Sequence, residues 1–139
     1  MINKILVAFD GSCQSQHAFE FGLDLAVKYS AALTVIAVSR PPEPPVAVEL
    51  QAMLEHANEY FRTQFAAMKD QAAAKGVQCN FELRVGHPAE QIVHLADEIK
   101  AEAIVMGHRG ESLLQKWLLG SVAKRVLSYA HCTVIVVRC

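Results

Sequence analysis

Three observations predict an α/β domain built on a single open five-stranded parallel sheet, order 3-2-1-4-5, with helices on both faces. Short apolar runs alternate with longer stretches of helical period, giving the pattern βαβαβαβαβ. The third strand segment alternates strictly, as an edge strand with one face in water does, and this favours 3-2-1-4-5 over 2-1-3-4-5. The chain has 139 residues, 53% apolar and 19% charged, which suits one domain spanning residues 1–139 with a real core and excludes intrinsic disorder.

The elements follow in order. Lys4 to Phe9 reads as a buried strand, stopped by Asp10-Gly11-Ser12. Ala18, Gly22, Leu25, Ala26 and Tyr29 recur at helical steps, and Leu33 to Val38 is the second strand. The proline run Pro41 to Pro45 predicts a stiff loop. Leu50, Met53, Leu54, Ala57, Phe61, Phe65, Met68 and Ala72 mark a long amphipathic helix ended by Gly76. Val77 to Val85 is the alternating strand, and Pro88 opens a third helix carrying Ile92, Leu95, Ala96 and Ile99. Ala103 to Met106 is the fourth strand. A loop, a helix with Val122, Val126, Leu127 and Ala130, and a fifth strand, Thr133 to Val137, complete the chain.

Charge and cysteine content remove several function classes. Thirteen Lys and Arg against fourteen Asp and Glu give a net charge of −1 with no basic run, so nucleic acid is not an expected partner. No apolar run approaches the roughly 18 residues of a membrane helix, and the five-residue stretch after Lys4 is too short for a signal-peptide core. The four cysteines show no CxxC spacing, hence neither a zinc site nor a disulfide framework. A cytoplasmic setting without membrane contact is the expectation. The fifth strand is apolar on both faces yet stands at a sheet edge, an aggregation hazard unless covered. Pairing of Thr133 to Val137 with a second copy, in a twofold homodimer, is therefore expected.

Ligands of open parallel sheets bind outside the carboxyl ends of strands where the winding reverses, here between strands one and four. Asp10 and Gly107 should face that crevice. The loop after strand four reads Gly107-His108-Arg109-Gly110, nine further residues, then Gly120-Ser121 at a helix start. Glycines let a ligand approach the backbone, and a helix N-terminus offers unpaired amides. With the Ser121 hydroxyl and the Arg109 cation, these residues describe a cradle for a di- or triphosphate. The competing view makes Gly110 and Gly120 turn residues and Ser121 a helix cap.

These same segments resemble the universal stress protein family over the whole chain. The matching stretches are Lys4 to Ser12, Gly86-His87-Pro88, the GxxG-x9-GS segment, and Gly120 to Val137. The resemblance points to the ATP-binding branch. It implies that Asp10 meets the ribose or a metal-bound phosphate, that Ala8 and Phe9 line the adenine side, and that Val38 offers backbone groups to adenine. Met106 and Gly107 would lie along the nucleotide, with Arg109, Gly110, Gly120, Ser121 and Val122 around the phosphates. Magnesium would arrive with the nucleotide, near Asp10. Two departures stand out: Ala8 and Thr133 occupy positions where many members carry proline. The family's usual dimer through the last strand agrees with the edge argument.

The implied function is an adenine-nucleotide-binding stress or signalling module, for ATP, ADP or AMP, with a protein partner the sequence leaves unnamed. The alternatives are a slow ATPase or phosphotransferase and a nucleotide-free interaction dimer. No GxxxxGK[ST] motif, loop lysine or placed base argues for efficient hydrolysis, and no catalytic residue is assigned. A receiver-type phosphoacceptor role for Asp10 lacks the acidic cluster and distal lysine such chemistry needs. His108 is either a phosphate contact or an exposed side chain. Cys13, near a helix start, is a redox candidate or simply a small residue. The remaining histidines, His17, His56, His87, His94 and His131, share no metal spacing and read as surface. The Phe61/Phe65/Met68 stripe reads as core or dimer packing, and Glu55, Glu59, Arg62 and Lys69 as a solvated face.

Overall fold

A computed structural model describes residues 2–40, 47–109 and 120–138, and of residues 47–50 and 53 the backbone only. The predicted proline loop, Pro41 to Pro45, and Gly110 lie outside the described residues. Chain order runs β1 (Lys4–Ala8), α1 (Cys13–Tyr29), β2 (Ala32–Ser39), α2 (Ala47–Ala74), β3 (Cys79–Val85), α3 (Pro88–Ile99), β4 (Ala103–Gly107), α4 (Ser121–Tyr129) and β5 (Thr133–Val137). The sheet order is β3-β2-β1-β4-β5, and every neighbouring pair is parallel.

Side-chain alternation along the central strands builds two cores, one on each face. Ile5 and Val7 of β1, Leu33, Val35 and Ala37 of β2, and Val105 of β4 pack with Phe19 and Leu23 of α1 and Phe61, Phe65 and Met68 of α2. Leu6, Ala8, Ile36, Ile104 and Met106 point the other way, against Ile92 and Leu95 of α3 and Ala123 and Val126 of α4. Burying each such large side chain is worth about 1.5–3 kcal/mol, which is why β1 and β4 read as unbroken apolar runs. The aromatic stripe of α2 is core: Phe61 meets Phe9 edge-on at 6.2 Å, and Phe65 meets Phe81 at 4.8 Å between ring centres.

The two edges differ. The polar face of β3 is engaged by α3, because Arg84 bonds Glu98 at 3.0 Å and approaches Glu82 at 3.5 Å. Arg84 in turn holds the exposed Glu98 carboxyl below its ordinary range. On β5, Val134 joins the α3/α4 core while Ile135 and Val137 join the other, and all three remain only half-buried. Among the described residues no helix is long and apolar enough to cross a membrane.

Helix ends are set locally. Ser12 caps α1, and Pro88 occupies the first turn of α3. Both α1 and α3 end on non-glycine residues in the left-handed region, Ser30 (φ 52°) and Lys100 (φ 56°), whose N–H groups return to the last turn.

Candidate functional site

A cavity of about 300 Å³ opens at the carboxyl ends of β1, β2 and β4, between α1, α3 and α4. From β1 and its exit turn, Ala8, Phe9 and Asp10 line it; from β2, Val38. From β4 and the segment after it come Met106, Gly107 and Arg109, and from the α4 start Gly120, Ser121 and Val122. All the sequence-predicted site residues within the described segments thus meet in one crevice. Six lining residues had not been singled out: Ser12, Ser15, Ile36, Pro88, Ile92 and Ala123. The signal for Pro88 and Ile92 is topological. A helix joining the edge strand β3 to β4 has to cross the face of β2 and β1, where the crevice lies.

The β1–α1 junction is closed on itself. The Ser12 amide donates to Asp10 Oδ1 at 2.9 Å, and Ser12 Oγ accepts from the Ser15 amide at 3.1 Å. Ser15 Oγ donates to the Ser12 carbonyl at 2.9 Å and accepts the Asp10 amide at 3.3 Å. Gly11 turns the chain at φ 89°, with the Tyr60 hydroxyl against it: a Cβ there would lie 2.8 Å from that oxygen. The turn before α1 therefore satisfies the amides of Ser12 and Ser15, and the Ser12 carbonyl that of Gln16. What it presents to the cavity is the exposed Asp10 carboxylate and the Ser12 hydroxyl, whose own proton is not used by these bonds.

The β4–α4 junction is open. Gly107 permits α1 to sit on the strand end, since a Cβ would come within 2.7 Å of Gln14 Cβ and 3.0 Å of its carbonyl carbon. His108 then ties three segments: its amide donates to the Val137 carbonyl at 2.8 Å, and its carbonyl accepts the Gly120 amide at 3.0 Å. Gly120, not Ser121, is the N-cap, and no side chain caps α4. The cap role considered for Ser121 is thus replaced: it is the first residue inside the helix, exposed. The amides of Ser121, Val122 and Ala123 have no intrahelical acceptor and stand at the cavity wall, at the positive end of the helix dipole. Arg109 adds a cation whose buried Nη1 has no hydrogen-bond partner among the described residues.

His108 is neither exposed nor a lining residue. It is 7% exposed, and burial, with Arg138 and Arg109 nearby, pushes its imidazole below the ordinary histidine range.

The deeper wall is apolar: Ala8, Ile36, Val38, Ile92, Met106 and Ala123. Pro88, the first residue of α3, has no amide hydrogen, so this helix start contributes a ring rather than a donor. The β1–β2 ladder ends where the Phe9 amide bonds the Ile36 carbonyl at 2.9 Å. Backbone groups alternate in direction along a strand, so Val38 N–H and C=O point to the same side, beyond the end of β1. They face the cavity without a backbone partner among the described residues.

Other candidates fall outside this site. Cys13 is the exposed first residue of α1, with Sγ 3.8 Å from His17 Nε2. Burial pushes the Cys79 thiol up to about 11 and, with Asp97 beside it, also raises Cys132. His94 pairs with Glu98 at 2.7 Å and His131 with Asp97 at 3.1 Å, both at the surface. Among the described residues no group of three His, Cys, Asp or Glu side chains could hold a metal ion. Among the described residues Asp10 is the one acidic side chain at the cavity wall.

Comparison with known proteins places this geometry. The chain is 35% identical to Universal stress protein MJ0531 of Methanocaldococcus jannaschii over 141 residues, covering 99% of this chain and 83% of that protein. Its fold matches the universal stress protein UspA from Lactobacillus plantarum with a TM-score of 0.85 at 25% identity, over 99% of this chain and 98% of that one. It also matches a universal stress protein solved in complex with cAMP, at a TM-score of 0.67 and 27% identity, over 98% and 97% of the two chains. The family model described as "Universal stress protein family" matches residues 1–138, and the chain belongs to that family.

Proposed function

We propose that this protein binds an adenine nucleotide in the crevice between β1 and β4 and acts as a nucleotide-dependent stress or signalling module. The observation that carries the reading is the polarity of one cavity. At one end lie apolar side chains and the unpartnered backbone of Val38; at the other lie the uncapped amides of α4 and a buried, unpartnered Arg109 nitrogen. A planar base with hydrogen-bonding edges suits the first end, and phosphate oxygens suit the second. The cAMP complex of a related universal stress protein supports an adenine ligand.

In this reading Ala8, Phe9, Val38 and Met106 hold the base, and Asp10 meets the ribose or a phosphate-bound magnesium. Gly107, Arg109, Gly110, Gly120, Ser121 and Val122 surround the phosphates. A single carboxylate fits magnesium that is carried in by a nucleotide, since this ion keeps several waters and takes few protein ligands beside phosphate. No side chain is assigned a catalytic role. Thr133 to Val137, of which Val134 to Val137 are half-buried, pair with the same strand of a second copy.

Protein purified without added nucleotide should release adenylate on denaturation, or bind ATP with magnesium in titration calorimetry at about one per chain, the expectation for one crevice. Folded protein that carries no adenylate and gives no heat with ATP, ADP or AMP overturns the reading. The interaction-dimer alternative would then lead.

A further inference from the structure

On its far side from the cavity, the β1–α1 turn leans on one side chain of α2. Asp10 and Ser12 line the cavity, whereas Gly11 between them does not. Gly11 sits at φ 89°, and the ring of Tyr60 fills the space its missing Cβ would take. Oη lies 2.8 Å, Cε1 3.1 Å and Cζ 3.3 Å from that position. Gly76 turns the chain at φ 70° with nothing within 4 Å of the same point, so a positive-φ glycine does not by itself bring such a contact. Tyr60 is set there by its neighbour. Phe61 is buried, meets Phe9 edge-on, and lies 5.4 Å from Tyr60 between ring centres. Two successive residues of α2 thus hold the exit of β1, Phe61 at Phe9 and Tyr60 at Gly11. Tyr60 itself is 43% exposed, while Phe61, Phe65 and Met68 carry the packing of α2. Its ring therefore serves the turn more than the core. The hydrogen bonds of the turn all run within residues 10–15 and join it to α1. Tyr60 ties it to a second helix.

We propose that Tyr60 is a positioning residue for the nucleotide site: its ring, seated on Gly11, fixes the β1–α1 turn so that the Asp10 carboxylate and the Ser12 hydroxyl meet the ligand. This rests on the nucleotide reading above. Tyr60 does not touch the ligand and acts through Gly11. A turn held from behind has less freedom to lose when a ligand engages its front, so the brace raises affinity by preorganisation. The coupling is reciprocal, and a nucleotide that tightens the turn also tightens the Tyr60 contact. Through this contact α2 bears on the site, although none of its described side chains lines the cavity.

The test compares the wild-type protein with Tyr60→Ala and Tyr60→Phe, and repeats Tyr60→Ala in an Asp10→Asn background. Without nucleotide, amide hydrogen exchange at Ser12, whose N–H is bonded to Asp10 Oδ1, should quicken by about tenfold in Tyr60→Ala. Tyr60→Phe should keep the wild-type rate, because Cε1 and Cζ still fill the space. In calorimetry Tyr60→Ala should weaken ATP with magnesium by about tenfold, the worth of one hydrogen bond to a charged group. Tyr60→Phe should bind within about twofold of wild type. In the Asp10→Asn background, Tyr60→Ala should weaken ATP by about threefold at most, since the carboxylate it positions is gone. A merely structural role would give the same loss in both backgrounds. That equal loss, an unchanged Ser12 exchange in Tyr60→Ala, or a Tyr60→Phe variant as impaired as Tyr60→Ala overturns the brace. Folded wild-type protein that binds no ATP, ADP or AMP removes the nucleotide reading itself, and the positioning role with it.

Discussion

The two strand-to-helix junctions that face each other across the cavity are built from similar residues, Asp-Gly-Ser after β1 and Gly-Ser before α4, yet they do opposite things. At α1, Ser12 and Ser15 close a ring of hydrogen bonds with the Asp10 backbone and carboxylate, so the turn caps the helix with its own Ser12 side chain. At α4, the cap is Gly120, which has no side chain to return, and the amides of Ser121, Val122 and Ala123 have no acceptor among the described residues. The lesson is one of placement. A serine one residue before the helix caps it, and a serine one residue inside it stands at the cavity wall.

Four changes would break or sharpen that contrast. Gly107→Val has the largest expected effect, because its side chain would press on the Gln14 backbone and drive the two junctions apart. Urea denaturation should show a loss of about 1–3 kcal/mol, the usual cost of overpacking, and nucleotide heat should vanish. Gly120→Asp converts the open junction into a capped one and sets a carboxylate where phosphates would lie. It should weaken ATP by about ten- to a hundredfold and leave the melt close to wild type, although the new Cβ must ease away from Arg109 Cα at 3.1 Å. The serine pair should separate fold from ligand. Ser12→Ala should cost about 1 kcal/mol of stability, whereas Ser121→Ala should cost less than about 0.5 kcal/mol and weaken ATP severalfold.

The smallest effect concerns pH. His108 is held below its unfolded value, so the unfolded chain binds the proton first. Its neutral form supports full stability above about pH 6.5, the unfolded value, and that support is lost as pH falls through the folded value. Urea midpoints from pH 8 to pH 5.5 should fall more steeply for wild type than for His108→Gln. Equal slopes would mean that the imidazole senses neither its burial nor its arginine neighbours.

Much of the architecture was legible because it rests on side-chain alternation. The unbroken apolar runs of β1 and β4 announce burial on both faces, and the alternation from Val77 to Val85 announces an edge, so the strand order follows. The contributors to the polar end of the cavity were legible because glycine and serine mark backbone geometry directly. Less legible was anything that depends on what a helix crosses. Pro88 reads locally as a helix start, and only the crossing of α3 over β2 and β1 brings it and Ile92 into the cavity wall. His108 was ambiguous for a similar reason: its burial comes from its position beside β5 and α4, and no neighbour in sequence reports that. The end of α1 on Ser30, in the left-handed region where glycine is the usual signal, was likewise not marked by its residue type.

The single bond from the Gly120 amide to the His108 carbonyl has a consequence for how such a protein can be altered. It fastens together the two points where the main chain departs from β4 and enters α4, so the fold receives both ends of the intervening residues already joined. For a flexible insertion, each doubling of length then costs only about 0.6 kcal/mol of closure entropy. The segment between these points can therefore be exchanged or lengthened as a cassette, while the sheet and the two cores that hold it stay as they are.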